Sequence, residues 1–338
     1  MTFFDAKWPA VLLAPLAMLF SIAVRLRNLF YDIGVLKSYA VNCKVISIGN
    51  ITVGGTGKTP MVQYVVETLT DMGKRVAIIS RGYGRTASGG LIVSDGQSIL
   101  CGVKESGDEP MLLARSCPGA VVAVDKDRVR MARKVIDQFF PDVIVLDDAF
   151  QHRRIKRDLD IVMIRVGKAF GNGFILPAGP LREPLSGLRR ADVLCIRDKT
   201  SATRAIATKT NAQVIEYEYQ IDKVCNKQGA INIEELAGRS VIAFCGIANP
   251  ENFLATLSQL KMNVLHFQSF HDHHRYTAGD INVLRSHVQK FAPQFIITTE
   301  KDWVKLPLED LGDAWIFVRI RIAPRLEKNI VSRFEMLF

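Results

Sequence analysis

The sequence has few cysteines, and none of them form closely spaced pairs. The six cysteines are scattered over 338 residues without a CxxC spacing, at Cys43, Cys101, Cys117, Cys195, Cys225 and Cys245. This spacing excludes the disulfide framework of a small secreted domain and argues against a structural zinc site. We expect reduced thiols and a cytoplasmic compartment.

The chain also lacks internal repeats and low-complexity tracts, and its charges are not balanced. Lysine and arginine total 44 against 34 aspartates and glutamates, a formal net charge of +10. A basic excess favours anionic partners, which are nucleic acid, acidic lipid or a phosphorylated substrate. Because the sequence has no zinc-finger spacing and no RNA-binding aromatic motif, we expect no nucleic-acid partner.

Long apolar runs are missing except near the N-terminus. Trp8–Val24 contains 17 residues without a charge, and Arg25 and Arg27 follow it. A membrane span needs about 20 apolar residues. A cleaved signal peptide carries its basic flank before the apolar run, which is the reverse of this order. We expect a helix that lies on or dips into a membrane surface. A single span and a buried core helix are the alternatives.

Short apolar runs in the first two thirds of the chain predict buried strands. They are Val45–Ile48, Val76–Ile79, Val121–Val124, Val143–Leu146, Ile161–Ile164 and Val193–Ile196. Helical stretches alternate with some of these runs, at Thr59–Leu69, Glu109–Ser116 and Arg128–Phe139. Alternation of this kind predicts an α/β fold with a parallel sheet covered by helices on both faces.

A polar stretch at Asp198–Lys209 is typical of a linker, and a second series of runs follows it. The series is Val214–Tyr219, Val241–Phe244, Val264–Phe267, Phe295–Ile297 and Trp315–Val318. At roughly 150 residues per domain, the chain length predicts two domains. We therefore expect an N-terminal membrane-associated segment at 1–40, a P-loop domain at 41–200 and a smaller α/β domain at 201–338.

The strand Val45–Ile48 leads into a glycine-rich loop and then a helix, which is the context of a Walker A phosphate loop. The loop residues are Gly54, Gly55, Thr56, Gly57, Lys58 and Thr59. Backbone N–H groups would surround phosphate oxygens, Lys58 would reach the β and γ phosphates, and Thr59 would ligate Mg²⁺. The strict motif has glycine where Thr52 stands. The remaining Gly-Gly-Thr-Gly-Lys-Thr string still predicts ATP binding.

A second acidic element follows downstream. Val143–Leu146 ends in Asp147 and Asp148, and a carboxylate at such a strand end can hold Mg²⁺ in a nucleoside triphosphate site. The alternative is an aspartate pair that caps a turn. Combined with the phosphate loop, the pair predicts ATP, Mg²⁺ and phosphoryl chemistry.

The order of motifs along nearly the whole chain resembles the lipid A 4′-kinase (tetraacyldisaccharide 4′-kinase) family. The matching segments are Gly49-Asn50 with Gly54–Pro60, Ser80–Arg85, Gly107–Pro110, Asp147–Arg153, Pro177–Pro184, Asp272-His273 and Thr299–Asp302. The resemblance implies transfer of the ATP γ-phosphate to the 4′-hydroxyl of a tetraacylated glucosamine disaccharide 1-phosphate, giving the bisphosphorylated lipid A precursor. It also implies the cytoplasmic face of a Gram-negative inner membrane.

The resemblance further implies a catalytic pair, in which Asp108 works with His273 to deprotonate the acceptor hydroxyl, alongside Lys58 in the loop. From residue chemistry alone, Asp108 before an apolar helix is typical of an N-cap. His273 belongs to the string His271–His274, which could also be a polar loop or, less favourably, a zinc site. Because the two residues lie 165 positions apart, the sequence does not establish that they meet.

Four further side chains are expected near the substrate: Tyr83, His152, Arg182 and Glu183. Tyr83 lies between two glycines after a predicted strand, and His152 follows the aspartate pair. Arg182 could neutralise the transferring phosphate. The alternatives are a flexible surface turn for Tyr83 and an ordinary surface arginine for Arg182.

Two rival functions follow from the same residues. A soluble P-loop NTPase that couples ATP hydrolysis to a protein partner would use the same loop, but it has no need of the apolar N-terminus. A nucleic-acid-binding ATPase would account for the net charge of +10 and would bind DNA or RNA with a strong salt dependence.

Overall fold

A computed structural model describes residues 7–164, 170–197 and 210–338. The predicted linker Asp198–Lys209 lies outside the described residues. The helices are α1 (Lys7–Asp32), α2 (Lys58–Asp71), α3 (Val103–Ser106), α4 (Asp108–Ser116), α5 (Arg128–Phe139), α6 (Pro250–Gln259), α7 (Ala278–Phe291), α8 (Glu300–Trp303) and α9 (Glu327–Glu335). Short 3-10 helices cover Leu185–Arg190, Ile233–Leu236 and Leu308–Asp310.

The described strands belong to one mixed sheet. They are β1 (Lys44–Asn50), β2 (Val76–Ser80), β3 (Leu91–Asp95), β4 (Val121–Val124), β5 (Val143–Asp147), β6 (Leu159–Ile164), β7 (Val193–Arg197), β8 (Gln213–Cys225), β9 (Ala230–Ile231), β10 (Ser240–Cys245), β11 (Asn263–Ser269), β12 (Phe295–Thr299) and β13 (Trp315–Pro324). Their spatial order is β11-β10-β12-β13-β8-β7-β6-β1-β5-β2-β4-β3, and β9 pairs with β8. The predicted α/β class is confirmed.

Each run predicted as a strand is present, and most are longer by one or two residues at an end. The two largest differences are β8 and β13, which extend well past the predicted Val214–Tyr219 and Trp315–Val318. These two strands pair antiparallel over a long stretch, from Phe317 opposite Cys225 to Pro324 opposite Tyr217. Their outer halves mix charged and polar residues with a few buried apolar ones, such as Val224 and Ile322, so no apolar run marks this part of either strand.

The first half of the sheet is buried on both faces because side chains alternate along each strand. In β5, Val143 and Val145 pack with helices α2 and α4. Ile144 and Leu146 pack on the opposite face, against α5. This arrangement accounts for continuous apolar runs in place of alternating ones.

The second half of the sheet is also covered by helices on both faces. In β10, Ala243 and Cys245 pack against Leu257 of α6, whereas Phe244 packs on the other face with Leu284 of α7. Strand β8 joins the two halves, since it pairs parallel with β7 and antiparallel with β13. The division into domains at 41–200 and 201–338 stays a prediction, and one continuous sheet runs through both ranges.

The N-terminal helix α1 runs from Lys7 to Asp32 and contains Pro15. Its segment Leu12–Asp32 is long and apolar enough to cross a membrane, and little of it is buried. Large apolar side chains are exposed along it: Leu12, Leu16, Met18, Leu19, Phe20, Ile22, Leu26 and Leu29. Among the side chains of α1 that the structure describes, the buried apolar ones are Ala17 and Val24.

The C-terminal helix α9 packs against the first half of the sheet. Ile330 and Phe334 are fully buried and share the apolar cluster of α2 and β1 with Ile322 of β13. The end of the chain therefore helps to hold the two halves of the molecule together.

We expect Phe334→Ala to lower the free energy of unfolding by about 3–5 kcal/mol, because a buried aromatic ring is lost and a cavity remains. Urea unfolding followed by circular dichroism measures the change. Met336→Ala is the matched control, since Met336 is 68% exposed and its truncation should shift stability by under roughly 0.5 kcal/mol. Equal effects of the two variants would contradict the packing of α9 described above.

Candidate active site

The phosphate loop joins β1 to α2. Gly54 and Gly57 have φ angles of +100° and +82°, a left-handed conformation that glycine adopts without steric cost. Gly57 is also the residue before the first turn of α2, and a side chain there would overlap the hydroxyl of Tyr219. Asn50 donates from Nδ2 to Oγ1 of Thr56 at 2.8 Å. The free N–H groups at the start of α2 provide an anion site.

The acidic pair Asp147 and Asp148 lies at the end of strand β5, at the same edge of the sheet as the phosphate loop. Asp147 is buried, and its Oδ2 accepts a hydrogen bond from the hydroxyl of Ser80 at 3.0 Å. Burial, with the nearby negative charges of Glu109 and Asp148, raises the pKa of Asp147 to about 7. Its Oδ1 has no hydrogen-bond partner among the described residues. An unpartnered buried carboxylate oxygen suits a cation as its ligand.

Asp148 is held differently from its neighbour. Its backbone is left-handed, with φ +47°, which costs free energy and recurs at functional sites. Its carboxylate lies 3.5 Å from Nζ of Lys58 and accepts from Nη1 of Arg182 at 2.9 and 3.0 Å. Burial acts to raise the pKa of Asp148, but Lys58 and Arg182 outweigh it and lower the pKa.

The candidate metal ligands fit Mg²⁺. Thr59, Asp147 and Asp148 all line one cleft with Lys58, and hydroxyl and carboxylate oxygens are the donors that this ion prefers. Among the described residues, no group of three or more His, Cys, Asp or Glu side chains is arranged to hold a metal ion.

Asp108 and His273 meet across the cleft. Oδ2 of Asp108 lies 3.4 Å from Nδ1 of His273. Asp108 is the first residue of α4, and the N-cap is Gly107, so the alternative that Asp108 caps the helix is wrong. Burial acts to raise the pKa of Asp108, and the hydrogen bond from His273 with the nearby Lys305 cation outweighs it and lowers the pKa. The carboxylate is therefore ionised at neutral pH.

The loop that carries His273 also contacts the loop Gly82-Tyr83-Gly84, which follows β2. Arg275 donates from Nη2 to the carbonyl oxygen of Gly84 at 2.7 Å. The ring centroids of Tyr83 and His273 are 6.3 Å apart, and Tyr83 is 77% exposed. His273 itself has φ +60°. Tyr83 therefore stands at the rim of the cleft with its ring free to contact a ligand.

His152 lines the cleft. Burial, together with the cations Arg128 and Arg157, lowers the pKa of His152 to about 4. Its Nε2 has no hydrogen-bond partner among the described residues. A neutral imidazole with a free nitrogen can donate to or accept from a ligand hydroxyl.

Arg182 and Glu183 are neighbours with different surroundings. Arg182 lines the cleft beside Asp148. The side chain of Glu183 is fully buried, and its carboxylate accepts hydrogen bonds from Arg190 at 2.8 Å, Gln151 at 2.9 Å and Asn28 of α1 at 3.2 Å. The expectation that Glu183 contacts substrate does not fit this position, because its oxygens are already bound by protein groups and it does not line the cleft.

A single cleft of about 1280 Å³ contains the phosphate loop, the acidic pair and the Asp108–His273 pair. Its wall includes Phe20, Ala23 and Val24 of α1 on one side and Asn252 and Phe253 of α6 on another. Sequence reasoning missed two buried or partly buried cations at this cleft, Arg128 and Lys301. The signal for Lys301 was present, since it lies in the matched segment Thr299–Asp302.

A phosphate loop that faces an acidic strand end at the edge of a parallel sheet is typical of P-loop kinases and NTPases. The fold and the site geometry assign this chain to that class. His273 of the same cleft also forms a carboxylate–imidazole pair with Asp108, which is the type of group that can act as a base towards an acceptor hydroxyl.

Comparison with known proteins identifies the family. The family model of LpxK, tetraacyldisaccharide-1-P 4′-kinase, matches residues 9–335, and the chain belongs to this family. It is 39% identical to a tetraacyldisaccharide 4′-kinase of Syntrophus aciditrophicus, over 95% of this chain and 91% of that one. It is 41% identical to a protein of the same name from Chlorobaculum parvum, over 89% and 86%.

A solved structure agrees with this assignment. The LpxK structure from Aquifex aeolicus, described as an "apo" form in complex with ATP, superposes with a TM-score of 0.83 and 32% sequence identity. The alignment covers 97% of this chain and 99% of that one. The predicted family, the kinase class and the P-loop-type fold are confirmed.

We expect His152 to make the folded protein less stable as the pH falls. Because the folded-state pKa is lowered to about 4 from an unfolded value of about 6.5, the unfolded state binds the proton first between these values. Stability is therefore lost as the pH drops from about 6.5 towards 4. His152→Gln should flatten this slope in urea unfolding, whereas an unchanged slope would contradict the lowered pKa. Replacement of the exposed His271 by Gln is the control.

Proposed function

We propose that this chain is a tetraacyldisaccharide 4′-kinase that transfers the γ-phosphate of ATP to the 4′-hydroxyl of tetraacyldisaccharide 1-phosphate. The product is the bisphosphorylated lipid A precursor, lipid IVA. One observation carries the proposal: the same cleft contains the phosphate loop, a carboxylate–imidazole pair and apolar residues of an exposed N-terminal helix. A lipid with a sugar hydroxyl at its head needs all three.

The donor side of the cleft suits ATP. The N–H groups at the start of α2 bind the phosphates, and Lys58 neutralises charge on the β and γ groups. Thr59, Asp147 and Asp148 would hold Mg²⁺, which would neutralise the charge that develops on the transferring group. Arg182, 2.9 Å from Asp148, adds a further cation near this position. Gly54, Gly55, Thr56 and Gly57 provide the close backbone approach.

On the acceptor side, Asp108 accepts the proton of the attacking 4′-hydroxyl. His273 orients its carboxylate through the 3.4 Å contact between Nδ1 and Oδ2. Because the transition state of phosphoryl transfer is loose, positioning and charge neutralisation account for most of the rate enhancement, and the base contributes less. Tyr83 and His152 line the cleft near these groups and are proposed to contact the disaccharide.

The membrane role belongs to α1. Its exposed apolar residues match the pattern of a helix buried in the acyl boundary of a bilayer. Its cleft-facing residues Phe20, Ala23 and Val24 offer an apolar wall to acyl chains that rise from the same layer. We place the protein at the cytoplasmic face of the inner membrane, where ATP and the lipid meet.

The closure of the two predicted domains is part of this proposal. His273 and Lys301 lie in the range 201–338, whereas Asp108 and the phosphate loop lie in 41–200. Strand β8 pairs with both β7 and β13, so a change of angle along β8 would open or close the cleft. The soluble NTPase alternative leaves both the exposed α1 and the Asp108–His273 pair without a use.

We expect Asp108→Asn to lower kcat for lipid phosphorylation by roughly 10²–10⁴-fold, the range for loss of a general base. The Kd for ATP should stay unchanged, since the amide keeps the shape of the carboxylate. Transfer of labelled γ-phosphate to the lipid in mixed micelles measures the first quantity, and calorimetry measures the second. Asp137→Asn, on an exposed position of α5, is the control.

Full activity of the Asp108 variant would contradict the assignment of the base. Lipid-independent ATP hydrolysis without transfer by the unmodified protein would contradict the kinase function and favour the soluble NTPase.

We expect the double change Leu16→Asp and Leu19→Asp to weaken binding to vesicles of anionic phospholipid by at least about tenfold, because two leucines lose their apolar burial in the bilayer. Both side chains are more than half exposed, at 55% and 65%. Co-flotation with the vesicles measures binding. Val283→Asp is the control, since Val283 is 49% exposed on α7. Unchanged flotation of the double variant would contradict membrane contact by α1.

A further inference from the structure

Lys301 stands next to the catalytic pair and has no role in the function described so far. It lies in the short helix α8 directly after β12, and it lines the cleft. Its Nζ is 3.3 Å from Nε2 of His273 and 3.3 Å from Oδ1 of Asp272. The side chain is 25% exposed, and its ammonium group lies at the Nε2 edge of the imidazole, whereas Asp108 lies at Nδ1.

These contacts favour one tautomer of the His273 ring. A lysine ammonium group only donates hydrogen bonds, so Nε2 of His273 must accept. An accepting Nε2 means that the ring is neutral and that its proton is on Nδ1. Nδ1 is the nitrogen that lies 3.4 Å from Oδ2 of Asp108. In this tautomer, the ring donates to the carboxylate and carries no charge.

The other charges around the ring make this state depend on Lys301. Asp108 faces the ring from α4, and Asp272, on the same loop as His273, has Oδ2 3.9 Å from Nε2. Lys305, in the turn after α8, is a nearby cation that helps to lower the pKa of Asp108. Without Lys301, two carboxylates would flank the imidazole and favour its charged form.

We propose that Lys301 is a positioning residue that keeps His273 neutral with its proton on Nδ1, so that His273 orients Asp108 without neutralising it. An imidazolium would form an ion pair with Asp108 and stabilise the carboxylate against proton transfer, which would weaken the base. A neutral donor fixes the direction of the carboxylate and leaves its charge available to the acceptor hydroxyl.

Lys301 is held at this position by the buried turn that contains it. Asp302 is fully buried, and its Oδ2 accepts from Gly246 N–H at 2.9 Å and from the Thr299 hydroxyl at 2.7 Å. Its Oδ1 lies 2.6 Å from Nζ of Lys305. These two hydrogen bonds and the ion pair with Lys305 hold the backbone of Lys301 beside the loop His271–His274.

Heteronuclear NMR of the ring nitrogens in histidine-labelled full-length protein, with His273 assigned through a His273→Gln variant, tests the proposal. At neutral pH we expect a neutral ring with the proton on Nδ1 in the unmodified protein. In Lys301→Met the signal should move towards the imidazolium form, and in Lys301→Arg, which keeps the cation, it should not. Lys328→Met, an exposed change on α9, should leave the spectrum unchanged.

Kinetics provide the second measurement. Lys301→Met should lower kcat for lipid phosphorylation by about tenfold or more, part of the loss expected when a base is weakened, with an unchanged KM for ATP and a pH profile displaced to higher pH. Lys301→Arg should retain most of the activity. These expectations rest on the proposed function, but the NMR result does not, since it requires no transfer.

Several outcomes would overturn the proposal. They are a charged ring or an Nε2–H tautomer in the unmodified protein, and a neutral Nδ1–H ring that persists in Lys301→Met. A fall in kcat with no change at the ring would mean that Lys301 acts on the phosphate directly, which also contradicts the proposal. Failure of lipid phosphorylation in the unmodified protein would instead remove the proposed function.

Discussion

The site depends on the attraction between the two carboxylates at the end of β5 and the cations around them. Asp147 and Asp148 are adjacent, and burial raises the pKa of Asp147 to about 7, so the pair is costly without cations. Lys58 and Arg182 lie close to Asp148, which brings the phosphate loop and the loop after β6 to one point. A bound Mg²⁺ would complete this balance, since Asp147 keeps an unpartnered oxygen among the described residues.

A second set of contacts links the apolar helix to the phosphate loop. The carboxylate of Glu183 accepts from Asn28 of α1 and from Gln151. The Gln151 amide also donates to the carbonyl oxygen of Asn50 at 2.8 Å, and the Asn50 side chain donates to Thr56 in the loop. Because these groups are buried or partly buried, each bond restricts its neighbours. Helix α1 is therefore linked to the phosphate loop through a continuous chain of hydrogen bonds.

The sequence by itself determined the elements whose signals are local. Parallel strands buried on both faces read as apolar runs, so the strands around the loop and the acidic pair followed from the pattern. The glycine-rich loop and Asp147 followed as well, because each lies where a strand ends and parallel strands end at one edge. The edge strand β3 and the outer halves of β8 and β13 were not predicted, since they carry polar residues and leave no apolar run.

Only the tertiary structure decided which distant residues meet and which face the ligand. Asp108 and His273 are 165 positions apart and come together because β8 and β13 place the second half of the sheet beside the first. The buried position of Glu183 and the contact of Lys301 with His273 have the same origin. A residue type and its spacing specify what a side chain can do, whereas burial and partners, which arise from packing between remote segments, decide what it does.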